Sequence, residues 1–199
     1  MSNPNNKPLG NLIDAARAKE RASRRPVVLI NDKDRDSFLG GWVYWHRFGM
    51  GENCTIVHHR DSDLIESLDG KEVFAPINNS FFMDKSDVIA HKAIDCAVMV
   101  AKSVYIVSDS DDLTSCINTF DAELLQKQKN TIFFNGFCKS VLETAWTHCY
   151  GSTAPPDNIV KLSNHNNWAH ADKALTDANK SIDKRYMCIE RLVFLKHTR

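Results

Sequence analysis

The sequence has no net charge, no clustered cysteines and no long apolar run. Its 25 Lys and Arg residues balance 25 Asp and Glu residues, which argues against a protein that coats nucleic acid, though not against a local basic groove. No apolar run reaches the roughly 18 residues of a membrane-spanning helix, and the polar, Asn-rich start lacks a signal-peptide pattern. These absences predict a cytoplasmic protein that does not bind a membrane.

The six cysteines are scattered along the chain, and no two of them form a C-x-x-C pair. Zinc knuckles need clustered ligands, and disulfide scaffolds are cysteine-dense and secreted. We therefore expect reduced thiols that are mostly buried. With 199 residues, the chain is long enough to bury the core of one domain.

The order of apolar segments predicts alternating strands and helices. Short apolar runs rich in β-branched residues have the character of buried strands: 27–30, 54–57, 73–77, 103–107 and 131–134. Apolar residues at helical spacing lie over 38–48, 86–101, 113–129, 139–148 and 173–196. Such alternation predicts an α/β fold with a mostly parallel sheet flanked by helices.

The chain divides into three parts by composition. Residues 1–25 predict a flexible basic arm, whose Arg24 and Arg25 are candidates for contacts with a partner or an RNA backbone. A solvated helix packed loosely on its own domain is the alternative for this arm. Residues 26–172 contain the α/β domain, and 173–199 contain a C-terminal helix and a basic tail.

Two acidic clusters follow predicted strands. The carboxyl ends of parallel strands share one edge of a sheet, and α/β proteins bind ligands beyond that edge. Carboxylates that converge there can hold divalent ions that hydrolyse phosphodiesters. The alternative is a solvated turn in which an Asp caps the following helix. The first cluster contains Asp32, Asp34 and Asp36, and the second contains Asp109, Asp111 and Asp112.

A short pattern is similar to the PIN/NYN-type nucleases. Lys92-Ala-Ile-Asp95 precedes a strand that ends in Ser108-Asp109-Ser110. In those nucleases a helix Asp and a strand-end Asp share the metal with an Asp after the first strand, which here is Asp32.

A longer pattern begins with an acidic loop at 31–36, which leads into the small-residue, aromatic-rich helix that ends in Phe48-Gly49. Gly70-Lys71-Glu72-Val73 then precedes a strand, Ser140-Val141 precedes Trp146, and Asn164-His165-Asn166-Asn167-Trp168 follows. Over residues 26–170 this order resembles the DHH phosphoesterase family, in its nuclease and oligonucleotide-hydrolase branch. The resemblance implies a DHH-like domain, here without the family's second, substrate-binding domain.

The metal-ligand positions that the resemblance implies are mostly neutral in this chain. Asn31 stands where the family has His, and Asn78 and Asn164 stand where it has Asp. Ser108-Asp109-Ser110 replaces the family's Asp-His-His, and only Asp36 is kept cleanly. Asn preserves much of the shape of Asp but lacks the charge that a divalent ion needs.

The first hypothesis is therefore a catalytically inactive DHH-like protein that binds a protein partner, a nucleotide or nucleic acid without a cofactor. Its candidate binding residues are His58, His165, Arg24 and Arg25. His58 and its neighbour His59 are expected to point to opposite faces of a strand.

The alternative hypothesis is a Mn²⁺- or Mg²⁺-dependent phosphodiesterase or nuclease with a rearranged acidic site. Its catalytic residues would be Asp32, Asp36, Asp109 and Asp112. Its metal ligands would be Asp34, Asp36, Asp109 and Asp111.

A third hypothesis is assembly through aromatic residues, which are enriched in the cores of interfaces. Core packing is the competing interpretation for Trp42 and Trp45, which lie three residues apart on one helical face. The aromatic residues concerned are Trp42, Tyr44, Trp45 and Trp168.

Overall fold

The structure, a computed structural model, describes residues 25–78, 88–109, 130–135, 140–151, 154–163 and 180–194. Five strands in this part of the chain are β1 (Val27–Ile30), β2 (Thr55–His58), β3 (Glu72–Ile77), β4 (Ser103–Ser108) and β5 (Thr131–Asn135). They form one sheet in the order β2-β1-β3-β4-β5, and all neighbouring strands are parallel.

The helices in the described residues are α1 (Arg35–Arg47), α2 (Leu64–Leu68), α3 (Val88–Val100), α4 (Val141–Tyr150), α5 (Asp157–Ser163) and α6 (Ile182–Phe194). They flank the sheet, so the predicted α/β fold with a mostly parallel sheet is confirmed. None of the described helices is long and apolar enough to span a membrane. The helix predicted over 113–129 lies outside the described residues.

The short helix α2 lies in the polar segment between β2 and β3. Leu68 has no exposed surface and joins the core on one face of the sheet. Leu68 and the partly buried Leu64 pack this turn against the sheet, although Ile65 of the same turn remains exposed.

Strand β1 is buried on both faces and separates two cores. Its four residues have no exposed surface, as the apolar run predicted. Val28 and Ile30 belong to the core that α1, α4, α5 and α6 cover, whereas Val27 and Leu29 belong to the core under α2 and α3. Residues in alternate positions of a strand point to opposite faces, so one strand contributes to both.

Helix α1 approaches the first core closely because it contains Gly40 and Gly41. A Cβ at Gly40 would lie 2.6 Å from Pro76 Cβ, and one at Gly41 would lie 2.6 Å from Ile30 Cγ2 and 2.5 Å from Tyr186 Oη. Glycine is therefore needed here for space, at the cost of helix propensity.

Helix α6 packs into the same core as α1, although the sequence suggested a separate terminal segment. Tyr186, Ile189 and Val193 are buried there. Trp45 Nε1 donates a hydrogen bond of 2.9 Å to Asp183 Oδ1, and His46 Nδ1 lies 3.1 Å from a carboxylate oxygen of Glu190. The C-terminal helix is thus part of the domain.

The aromatic residues of α1 are core residues. Trp42, Tyr44 and Trp45 are at most 1% exposed, so the core interpretation is confirmed for them. They have no surface left for the assembly interface that the third hypothesis requires. Trp168 lies outside the described residues.

A histidine lies among the aromatic residues of the first core. The Nδ1 of His148 in α4 is 2.6 Å from Tyr44 Oη, and its ring centroid is 4.5 Å from that of Phe134. Burial lowers the pKa of His148 from its usual value, because an imidazolium ion loses hydration in this environment.

The described cysteines are Cys54, Cys96, Cys149 and Cys188, and all four are free thiols. Cys54 is buried and the other three are partly buried. Burial raises the pKa of Cys54 and Cys149 to about 12, so both thiols are protonated at neutral pH. The expectation of reduced cysteines is confirmed for these four.

The packing at Gly41 predicts that Gly41→Ala lowers the free energy of unfolding by about 1–3 kcal/mol, as overpacking of a core does. The hydroxyl of Tyr186 is buried without a hydrogen-bond partner among the described residues, so Tyr186→Phe alone should be nearly neutral. Because this substitution removes the atom nearest to the new methyl group, the double variant should recover part of the loss. Urea unfolding of the four proteins measures the coupling, and simple additivity would contradict the packing account.

The lowered pKa of His148 predicts a specific loss of stability in mild acid. The unfolded state binds a proton near pH 6.5 and the folded state only below that value. The contribution of His148 is therefore complete above about pH 6.5 and decreases as the pH falls toward the lowered pKa of the folded state. Urea unfolding at pH 8 and pH 5.5 should show a smaller loss for His148→Gln than for the unaltered protein. Equal losses in the two proteins would contradict the effect of burial on His148.

Candidate functional site

The carboxyl edge of the sheet brings the predicted site residues together. The strand order reverses between β1 and β3, and this switch point is where open α/β sheets bind ligands. Asn31 follows β1, Asn78 follows β3, and Ser108 ends β4. His58 ends β2, directly beside Ile30 of β1. The prediction that the strand-end residues share one edge is confirmed for those that are described.

The sheet is less tightly paired at this switch point than elsewhere. Strand β3 pairs with β1 only at Val73 and Phe74, but its pairing with β4 continues to Ile77 and Ser108. Pro76 has no N–H to donate, and it lies beyond the end of the β1–β3 ladder. The proline is therefore accommodated in a central strand, and the ends of β1 and β3 need another connection.

Asp34 supplies that connection. It is the N-cap of α1, and its Oδ1 accepts a hydrogen bond of 2.7 Å from the backbone N–H of Ser37. Its Oδ2 accepts a 2.5 Å hydrogen bond from the side-chain amide of Asn78. Both carboxylate oxygens thus bind groups of the protein, so the capping alternative for the first acidic cluster is confirmed at Asp34.

Asn31 is held within the same loop. Its side-chain oxygen accepts a 3.2 Å hydrogen bond from the backbone N–H of Lys33. Its own backbone N–H donates a 3.0 Å bond to Ser37 Oγ. These are the local bonds by which Asn and Ser side chains stabilise turns and helix starts, and they give the loop a fixed shape.

Asp32 faces a different set of groups. One of its carboxylate oxygens lies 3.8 Å from His58 Nδ1 and the other lies 3.9 Å from a terminal nitrogen of Arg185. Both distances exceed that of a hydrogen bond. Arg185 is in the first turn of α6, and its Cζ is 4.3 Å from the ring centroid of Phe38, a cation–π contact.

These groups surround a cavity of about 580 Å³ at the carboxyl ends of β1 and β2. Of the lining residues that the structure describes, three are cationic and one is a carboxylate, so this part of the lining has an excess of positive charge even with a neutral histidine. The volume is in the usual range of small-molecule sites. The lining residues are Asp32, Lys33, His58, Lys180, Ser181, Ile182 and Arg185.

The predicted metal-ligand positions that the structure describes do not form a group of ligands. No three His, Cys, Asp or Glu side chains in the described residues group as metal ligands. Asp34 is bonded to Ser37 and Asn78, and Asp32 lies beside a guanidinium group. Asp36 in the first turn of α1, Asp95 within α3 and Asp109 after β4 join no such group either. Ser110, Asp111, Asp112, Asn164 and His165 lie outside the described residues.

The described candidate binding residues lie in different parts of the structure. His58 lines the cavity, whereas His59 is only 3% exposed, so the two histidines do not serve one site. Arg25 precedes β1 and therefore lies at the amino edge of the sheet. The four residues of β1 span about 13 Å, so Arg25 and His58 lie at opposite edges of the sheet, and the prediction that each contacts a ligand stays a prediction. Arg24 lies outside the described residues.

Arg185 and Lys180 are the site residues that the sequence interpretation missed. They come from the start of the C-terminal helix, far along the chain from the acidic loop that they approach. One local signal was present: Lys180, Lys184 and Arg185 surround the start of α6, and the helix dipole disfavours cations at that end. A basic helix start indicates a role other than helix stability.

Comparison with known protein families, with curated proteins and with solved structures found no match. The resemblance to the DHH phosphoesterase family therefore stays a prediction from the sequence. The arguments about function below rest on the geometry and charge of the described residues.

The bonds of Asp34 predict that Asp34→Ala lowers the free energy of unfolding by about 1–2 kcal/mol, which is the usual cost of losing an N-cap. Asp63→Ala is a matched control, because Asp63 is the N-cap residue of α2 but makes no side-chain cap bond. The control should change stability by less than about 0.5 kcal/mol. Urea unfolding provides the measurement, and equal losses in the two variants would refute the structural role of Asp34.

Proposed function

We propose that this protein binds a nucleotide or a nucleic acid at the carboxyl edge of its sheet and does not hydrolyse it. The observation that carries the proposal is the distribution of charge at this edge. Both carboxylate oxygens of Asp34 are occupied by hydrogen bonds from Ser37 and Asn78, so this carboxylate is held by the fold. The adjoining cavity contains more cationic than anionic side chains. Such an edge attracts phosphate groups.

The same bonds argue against catalysis by a divalent ion at Asp34. An ion would have to displace the backbone N–H of Ser37 and the amide of Asn78 from the two carboxylate oxygens. The protein would then lose the cap of α1 and the connection between the ends of β1 and β3. Hydrolysis of a phosphodiester needs a metal ion, or other groups placed on the reacting oxygens, to neutralise the developing charge.

The second candidate function is a Mn²⁺- or Mg²⁺-dependent phosphodiesterase. The observation that favours it is the position of Asp36 and Asp109, which lie near the carboxyl edge at the start of α1 and the end of β4. This candidate predicts cleavage that depends on Asp36, whereas the first predicts binding that is independent of metal.

One experiment separates the two candidates. A fluorescent 5′-phosphorylated trinucleotide should bind the full chain in the presence of EDTA, and its anisotropy should decrease as salt is added, because counterions compete for the cationic cavity. Addition of millimolar Mn²⁺ should yield no cleavage products. Cleavage that disappears in Asp36→Asn and persists in the control Asp63→Asn would establish the phosphodiesterase instead.

A further inference from the structure

The cavity beside Asp32 contains a cation that the fold does not satisfy. The side chain of Arg185 is 12% exposed, and its Nε is buried with no hydrogen-bond partner among the described residues. The Oδ2 of Asp32 lies 3.9 Å from the Nη1 of Arg185, which is beyond hydrogen-bond length. A largely buried guanidinium group with an unfilled Nε donor is costly. An anionic ligand in the cavity would offer the missing acceptors.

The guanidinium group of Arg185 is also held in position before any ligand binds. It lies over the ring of Phe38, at 4.3 Å from the centroid, and Phe38 itself is buried in the first core. The next residue, Tyr186, packs on the same ring with its centroid 4.7 Å away. A fixed Arg side chain loses little entropy when it binds an anion, and its planar fork matches two phosphate oxygens.

The other cationic residues come from two separate segments. Lys33 belongs to the loop after β1, and Lys180 precedes the start of α6. Together with Arg185 they give the described part of the lining three positive charges against the one negative charge of Asp32. A phosphate monoester carries close to two negative charges at neutral pH, whereas a backbone phosphodiester carries one. The excess charge of the lining therefore matches a monoester better.

We propose that this cavity binds a terminal phosphate monoester, with Arg185 as the principal ligand and Lys33 and Lys180 as further cationic contacts. This inference rests on the proposed function, since it names the part of the nucleotide or oligonucleotide that the protein recognises. The N-terminus of the 13-residue helix α6 adds to the attraction for an anion. The protein would thereby distinguish 5′-phosphorylated ends from hydroxyl ends.

The test compares a trinucleotide with a 5′-phosphate and the same trinucleotide with a 5′-hydroxyl, by calorimetry on the full chain in EDTA. The phosphorylated form should bind at least about tenfold more tightly, the effect of losing charged hydrogen bonds. Arg185→Gln should remove most of this preference. Lys184→Gln is the matched control, because it makes the same charge change one residue away at an exposed position outside the lining, and it should keep the preference within about twofold.

A second variant tests the phosphate site even if Arg185→Gln does not fold. Lys33 is an exposed loop residue, so Lys33→Gln should fold normally and still reduce the preference severalfold, even where Arg185→Gln is unstable. Equal binding of both trinucleotides by the unaltered protein would overturn the phosphate site while leaving nucleic-acid binding intact.

Binding of three smaller ligands distinguishes the proposed phosphate site from the proposed recognition of nucleotides. These ligands are inorganic phosphate, AMP and adenosine. Binding of inorganic phosphate as tight as that of AMP, and lost in Arg185→Gln, would support the phosphate site but contradict nucleotide recognition. Tighter binding of AMP than of phosphate, with adenosine much weaker, would support both. Absence of binding for every one of these ligands would overturn both.

Discussion

The close approach of α1 to the sheet is the constraint on which the other features depend. Gly40 and Gly41 leave no room for a side chain against Pro76, Ile30 and Tyr186, so the helix can occupy only one position over the ends of β1 and β3. That position places Asp34, at the start of the helix, within reach of Asn78. It also places the buried aromatic residues of α1 against α6, which fixes the start of α6 beside the cavity.

Two carboxylates of one loop acquire different roles because their neighbours differ. Asp34 accepts hydrogen bonds from Ser37 and Asn78, and it joins two strand ends where the ladder has stopped. Asp32 lies at longer distances from His58 and Arg185, so it moderates the charge of the cavity without filling the donors of Arg185. The local sequence does not distinguish these residues, since both are Asp in the same turn. The difference is made by the segments that fold against them.

The strands and α1 could be predicted because their information is local. The apolar run of β1 and the helical spacing of Phe38, Trp42 and Trp45 predict that these residues are buried. The structure shows all of them buried. The edge shared by Asn31, Asn78 and Ser108 followed from parallel pairing. The cavity could not be predicted in this way, because Arg185 reaches Asp32 only after α6 has docked on α1. Arg25 lies away from the cavity because it precedes a strand whose opposite end carries the cavity.

At the start of α6 the acidic residue contacts the core and two basic residues line the cavity. Helix stability alone does not explain this arrangement. Asp183 is the residue type that a helix N-terminus favours, and its carboxylate binds Trp45 Nε1 on the side of the core. Lys180 and Arg185 oppose the dipole, at a cost of roughly 0.3–1 kcal/mol for each charge close to the helix end, yet both line the cavity. Burial of Tyr186, Ile189 and Val193 offsets that cost and keeps the helix in place. A helix that is held by its apolar face can carry unfavourable cations at its start, and the anionic ligand that we propose would make such an arrangement favourable.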